Sequence, residues 1–145
     1  MAVKSIDEQA AELVAKFQKK GKELDSLLAV AMNEAGIKVE ADAALLARHD
    51  TGLLRKSITH RVISRRGYPV AQIGTNNEYA IYVEFGTGIY AEGGDGRKTG
   101  WMWYDEKGEG HWTRGMKPKS FLREALKRNK INVQEIVTRR LKQAI

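Results

Sequence analysis

Two carboxylates, Glu78 and Glu84, are the first candidates for chemistry, because they lie in an unusual central stretch. Residues 74–88 also hold two tyrosines, a phenylalanine and three glycines. Paired carboxylates can divide acid and base roles when their environments differ. No nucleophile with a positioned base, metal-ligand set or phosphate loop accompanies them in the sequence. We therefore interpret the stretch as a rigid corner rather than a catalytic centre.

The remaining motifs predict no cofactor or metal site. The three histidines are far apart in sequence and are not spaced for coordination. Residues 86–91 match the pattern G-x-G-x-x-A, but a dinucleotide fingerprint must open a helix after a strand. The glycine-rich residues 92–96 that follow would not form such a helix. The sequence therefore predicts a protein that is not an enzyme.

The elements that position the central stretch begin with a long helix. Ser5 and Glu8 form a capping box at its start. Gly36 can adopt the left-handed conformation that ends a helix, so we expect a stop there and a short second helix at residues 39–48. The apolar stripe is interpreted as core, with a partner helix as the alternative: Ile6, Ala10, Leu13, Val14, Phe17, Leu24, Leu27, Leu28 and Ala31.

A β-hairpin leads into the central stretch. Asp50 or Thr51 is expected to cap a new turn before it. The β-branched runs at residues 58–65 and 70–75 then flank a turn at residues 66–69 that contains glycine and proline. The pattern predicts two antiparallel strands.

The central stretch itself fits two templates. Residues 79–85 could be a strand or a short helix, and Asn77 as N-cap with Gly86 after the last turn favours the helix. We predict that it forms a core wedge and hinge, made of Tyr79, Tyr82, Phe85, Gly86 and Gly88.

A glycine- and tryptophan-rich arm is predicted at about residues 86–117. It contains all three tryptophans, and residues 101–105 and 110–114 fit a second hairpin. Aromatic side chains with polar tips are enriched at interfaces. The arm is therefore expected to contact a neighbouring subunit through Tyr90, Trp101, Trp103, Tyr104 and Trp112. Two alternatives stay open: the rings cover the domain's own core, or they stack on single-stranded nucleic acid.

The C-terminal segment carries the excess of positive charge. Residues 112–145 hold ten basic and two acidic residues, whereas the whole chain has a net charge of +7. A helix is expected from about Ser120, either as one kinked helix or as two short ones. A solvated face is one interpretation; the other is a surface facing DNA or an acidic partner, formed by Arg123, Lys127, Arg128, Arg139, Arg140 and Lys142.

Length and composition are those of an ordinary globular protein. The 145 residues are most simply one domain, 1–145, with 42% hydrophobic and 30% charged residues. With no cysteine, a disulfide framework is excluded and folding in the cytosol is expected. No apolar run is long enough to span a membrane.

Four motifs in order give the chain a family resemblance. They are residues 50–58, residues 73–76, the run Tyr-Ala-Ile-Tyr-Val-Glu-Phe-Gly-Thr-Gly at 79–88, and residues 118–126. With these, the sequence resembles the tail-component family of long-tailed bacteriophages over roughly residues 5–130. Members are described as neck, tail-completion or head–tail joining proteins. The family usually has a second proline where this chain has Ser120, which offers an N-cap instead.

The resemblance implies a non-enzymatic virion component that assembles in the host cytoplasm and sits at the head–tail neck or tail. It implies a homo-oligomeric ring that docks on connector, tail-terminator or tail-tube proteins. A hexamer is one subunit number that fits this expectation. No membrane contact is expected. The fold expected from the elements is α+β, with a long N-terminal helix and a C-terminal helix packed on a small antiparallel sheet made of two β-hairpins. The alternative function is non-specific nucleic-acid binding by the basic C-terminal helix and the tryptophan-rich arm.

Overall fold

The computed structural model describes residues 4–47 and 52–144. The chain is α+β, as predicted, with five helices and four strands among these residues. The residues expected to cap a new turn, Asp50 and Thr51, lie outside the described part. No helix of the described residues is long and apolar enough to cross a membrane.

The first helix, α1, spans Ile6–Leu46. Its capping box is present, because the Glu8 amide donates to Ser5 Oγ at 3.2 Å and the Ser5 amide donates to Glu8 Oε2 at 2.9 Å. The predicted stop at Gly36 is wrong: this glycine is buried within the helix, which continues for ten further residues to Leu46. Local glycine propensity is weak against tertiary packing of the adjacent turns.

A short helix, α2 (Leu53–Ser57), precedes the first hairpin. The hairpin consists of β1 (Thr59–Arg65) and β2 (Tyr68–Gly74). The turn is shorter than predicted, since Arg66 and Gly67 alone connect the strands with φ of 53° and 80°. Two positive φ values are those of a type I′ turn, whose twist matches that of the strands.

The central stretch forms a short helix, α3 (Ala80–Phe85), followed by a single 3₁₀ turn at Gly88–Tyr90. The second hairpin pairs β3 (Trp101–Tyr104) with β4 (Gly110–Thr113), in a register that places Trp103 opposite His111. Each hairpin forms its own two-stranded sheet.

Two helices end the described chain: α4 (Phe121–Arg128) and α5 (Lys130–Lys142). Of the two forms left open by the sequence, the structure has two helices. The break falls at Asn129, whose buried side chain donates to Asp42 Oδ2 at 2.6 Å and to the Ala125 carbonyl at 2.8 Å.

The described residues divide into two compact units. The first comprises residues 4–36, 61–72 and 131–144, and in it Glu34 pairs with Arg139 and Arg140. The second comprises residues 37–47, 52–60 and 73–130. Its fully buried side chains include Val83 and Phe121, which lie on α3 and α4.

Candidate functional site

Glu84, one of the two candidate carboxylates, caps a helix. Its Oε2 accepts the Leu122 amide at 3.0 Å and its Oε1 accepts the Arg123 amide at 3.1 Å. These are amides of the first turn of α4, which have no partner within the helix. Ser120 occupies the N-cap position, but its side chain makes no capping hydrogen bond. The prediction that Ser120 caps this helix is therefore wrong, because a buried carboxylate from α3 does so instead.

Arg123 completes a charged network around this cap. Its Nε donates to Glu84 Oε1 at 2.9 Å, and its two terminal nitrogens reach Glu92 at 2.9 and 3.0 Å. The Arg123 hydrogen bond holds the pKa of Glu92 below its usual range, and the two glutamates raise the pKa of Arg123. The guanidinium also lies 4.7 Å from the centre of the Phe85 ring. A buried charge with this many partners has a structural role.

The predicted core wedge is exposed in the single chain. Tyr79, Tyr82 and Phe85 are all exposed, and the buried residues of α3 are Ala80, Val83 and Glu84. The assignment of these three rings to the core is therefore wrong. Helical spacing gives the reason, because residues three apart on α3 share one face and that face is the outer one.

The two glycines of the predicted hinge are required by close backbone packing. Gly86 and Gly88 have φ of 79° and 61°. A Cβ at Gly88 would lie 2.0 Å from the Arg114 carbonyl oxygen, and one at Gly86 would lie 2.9 Å from that of Met116. The two segments at the base of the arm are hydrogen-bonded to each other, since the Thr87 amide donates to the Met116 carbonyl at 2.9 Å. A hinge role stays a prediction.

The arm presents its aromatic rings unevenly. Trp103 stacks on His111, with ring centres 4.6 Å apart, and Arg97 lies 5.4 Å from the centre of the Trp101 ring. Tyr104 and Trp112 are the most exposed aromatic residues of the hairpin, while Tyr90 lies in the 3₁₀ turn with its ring partly exposed. The five rings are therefore not one cluster.

A groove of about 650 Å³ lies beside the hairpin. It is lined by apolar residues of α2, α3 and β3 together with the polar turn of the hairpin: Leu53, Leu54, Tyr79, Val83, Trp103, Tyr104, Asp105 and Glu106. Tyr79 of the predicted wedge and Trp103 of the predicted arm thus share one surface. The sequence did not predict that these two residues line the same groove, because they belong to separate elements.

The hairpin turn is closed by Asp105. Its Oδ1 accepts the Lys107 and Glu109 amides at 2.9 Å each, and its Oδ2 lies 2.9 Å from His111 Nε2. The His111 hydrogen bond is the main cause of the lowered pKa of Asp105. With Glu109, these groups have ligand atoms within 4.8 Å of one another. Their hydrogen bonds account for the arrangement as a turn.

The C-terminal cations are largely engaged within the chain. Arg128 pairs with Glu124 at 3.0 Å, Arg140 pairs with Glu34 at 2.9 Å, and Arg139 also contacts Glu34. The hydrogen bonds from Arg140 and Arg139 lower the pKa of Glu34. Four of the six cations predicted to face DNA or an acidic partner, counting Arg123, thus already pair with an acidic residue of the same chain. Among the described residues, Lys127 and Lys142 have no ion pair within 4 Å.

The described chain is thus an α+β protein in which Glu84 caps a helix and the rings of the predicted wedge lie on the surface. The family described as the bacteriophage HK97-gp10 tail component matches residues 11–86, which is slightly more than half of the chain. The chain belongs to this family. No curated protein and no solved structure matches it.

Family membership defines a structural tail component of a bacteriophage. The match begins inside α1 and ends at Gly86, directly after α3. The resemblance was expected to extend to about residue 130, whereas the matched range does not include the arm, α4 and α5. The family signal therefore covers the capping Glu84 but not the helix that it caps.

Proposed function

We propose that this protein joins or completes the head–tail connection of a tailed phage or prophage. In this proposal it forms a ring with itself and docks on neighbouring connector, tail-terminator or tail-tube proteins. The observation that carries the proposal is the aromatic surface of the arm, where Trp112 and Tyr104 are 67% and 70% exposed. Exposed aromatic patches rimmed by polar residues are typical of protein–protein interfaces.

The arm offers two different faces, as a ring requires. Successive side chains of a strand point to opposite faces, so Trp103 and His111 share one face and Met102 and Trp112 share the other. Trp103 and Tyr104 line the groove, whereas Met102 and Trp112 are exposed and do not line it. A cyclic ring is built from head-to-tail contacts between two unlike patches.

The test mixes the protein with the phage neck and tail proteins encoded beside it and measures the masses of the products by mass photometry. We expect little association of the protein alone and closed rings in the mixture. Trp112→Ala should lower the yield of rings by about tenfold or more, since truncated aromatic hot spots typically cost 2 kcal/mol or more.

Tyr68→Ala provides the matched control, because Tyr68 is 68% exposed on the other hairpin and Trp112 is 67% exposed. It should assemble like the unmodified protein. Equal yields from all three proteins would contradict the arm as the interface. No assembly in any mixture would contradict the joining function.

A further inference from the structure

The N-terminal part of α1 exposes large apolar side chains. Every residue from 4 to 20 is exposed, including Ile6, Leu13, Val14 and Phe17. An isolated helix of about 12–15 residues is marginal in water, because most helix stability comes from packing of an apolar face. A surface of this kind on a helix calls for a second element to cover it.

The apolar spacing is that of a helix pair. Seam residues recur at intervals of four and three, the 3.5-residue repeat along which two helices interlock: Ile6, Ala10, Leu13, Phe17, Lys20 and Leu24. We define these six residues as the α1 seam. At 1.5 Å per residue, the seam is about 28 Å long.

The charges beside the seam indicate what covers it. Asp7, Glu8 and Glu12 make residues 7–12 acidic, whereas residues 16–22 contain four lysines and no acid. Two parallel copies would place like charges side by side, which destabilises a helix pair. Two antiparallel copies place the acidic part of each against the basic part of the other.

We propose that the α1 seam pairs with the seam of a second copy of this chain, in antiparallel orientation about residue 15. In this register Leu13 packs against Phe17 of the other copy, and Ile6 packs against Leu24. In every such pair, one residue comes from each of the two alternating positions of the heptad seam, which is the pairing that antiparallel helices make. The pairing is isologous, so that each contact occurs twice.

Lys20 limits the stability of the proposed helix pair. It lies opposite Ala10 of the other copy, and within its own chain its ammonium group contacts the Ala144 carbonyl and lies 3.7 Å from Glu23. A single polar seam residue fixes the register at a cost in stability. We therefore expect the association to be weak and the monomer to dominate in dilute solution.

Sedimentation velocity over a concentration series from about 1 to 300 µM tests the pairing. We expect a reversible monomer–dimer equilibrium that weakens as salt is raised, because opposed exposed charges are screened. Leu13→Glu should raise the dissociation constant at least tenfold. Ile37→Glu is the matched control, since Ile37 lies outside the seam on the same helix and is 53% exposed against 55% for Leu13.

Cysteine cross-linking tests the orientation, and the natural chain contains no cysteine that would interfere. Leu13→Cys and Phe17→Cys proteins are oxidised separately and as a mixture. Antiparallel pairing predicts that the mixture gives the most disulfide-linked dimer, whereas parallel pairing predicts efficient cross-linking of Leu13→Cys alone.

A monomer at every concentration, or a dimer equally affected by Leu13→Glu and Ile37→Glu, overturns the proposal. Preferential cross-linking of Leu13→Cys alone overturns the antiparallel register. These outcomes are independent of the proposed joining function, which is measured with the neighbouring phage proteins and depends on Trp112 rather than on the seam.

Discussion

The two ends of α4 and the hairpin of the arm belong to the same compact unit but use their residues in opposite ways. At α4, polar groups are buried and fully engaged: Glu84 caps the start, and Asn129 joins the end to Asp42. In the hairpin, large aromatic rings face outward. In this unit, buried polar groups hold the two ends of α4, whereas aromatic rings of the hairpin lie on the surface, where we propose that a partner binds.

The largest expected effect on stability is the difference between replacing a buried and an exposed phenylalanine. Phe121 is fully buried and Phe85 is 44% exposed. We expect Phe121→Ala to lower the free energy of unfolding by about 3–5 kcal/mol, because it leaves a cavity. Phe85→Ala should cost only about 0.5–1 kcal/mol, through the lost contact with the Arg123 guanidinium. Urea denaturation measures both, and equal losses would show that the Phe85 ring is buried.

The second prediction compares the two candidate carboxylates. Glu84→Gln keeps the shape but removes the charge that Arg123 and the α4 amides share. We expect a loss of about 1–3 kcal/mol in the free energy of unfolding, since hydrogen bonds to charged groups are among the stronger ones. Glu78→Gln, at an exposed position, should change it by less than about 0.5 kcal/mol. A neutral Glu84→Gln would contradict the capping role.

The smallest expected effect is a dependence on pH at the end of α4. The Asn129 amide and then Lys38 hold the pKa of Asp42 below its ordinary value of 3.8. A lowered pKa in the folded state means that the contribution to stability is complete above the unfolded value. It is lost as the pH falls through the folded value. The stability of the natural protein should therefore decrease more steeply below about pH 4 than that of Asp42→Asn.

Thermal unfolding between pH 5 and pH 2.5 measures this slope. Asp105→Asn provides a comparison at the arm, where a lowered pKa of similar origin belongs to an exposed turn. Identical acid slopes for Asp42→Asn and the natural protein would remove Asp42 from the stabilising contacts of α4.

The sequence predicted the local elements well because their signals are local. The capping box at Ser5, the two hairpins and the glycine after α3 all depend on residues that are close in the chain. The stop at Gly36 failed for the complementary reason. A glycine can end a helix, but Ala35 and Val39 in the adjacent turns are buried and the helix continues through Gly36.

The sequence by itself determined the α+β class and the family, and it predicted a structural rather than a catalytic role for residues 74–88. Only the tertiary structure decided which side chains perform that role. Glu84 and Arg123 are 39 residues apart, and their contact depends on how α3 packs against α4. The exposure of the aromatic rings was decided in the same way, because a residue's type does not specify which face of its helix meets the rest of the chain.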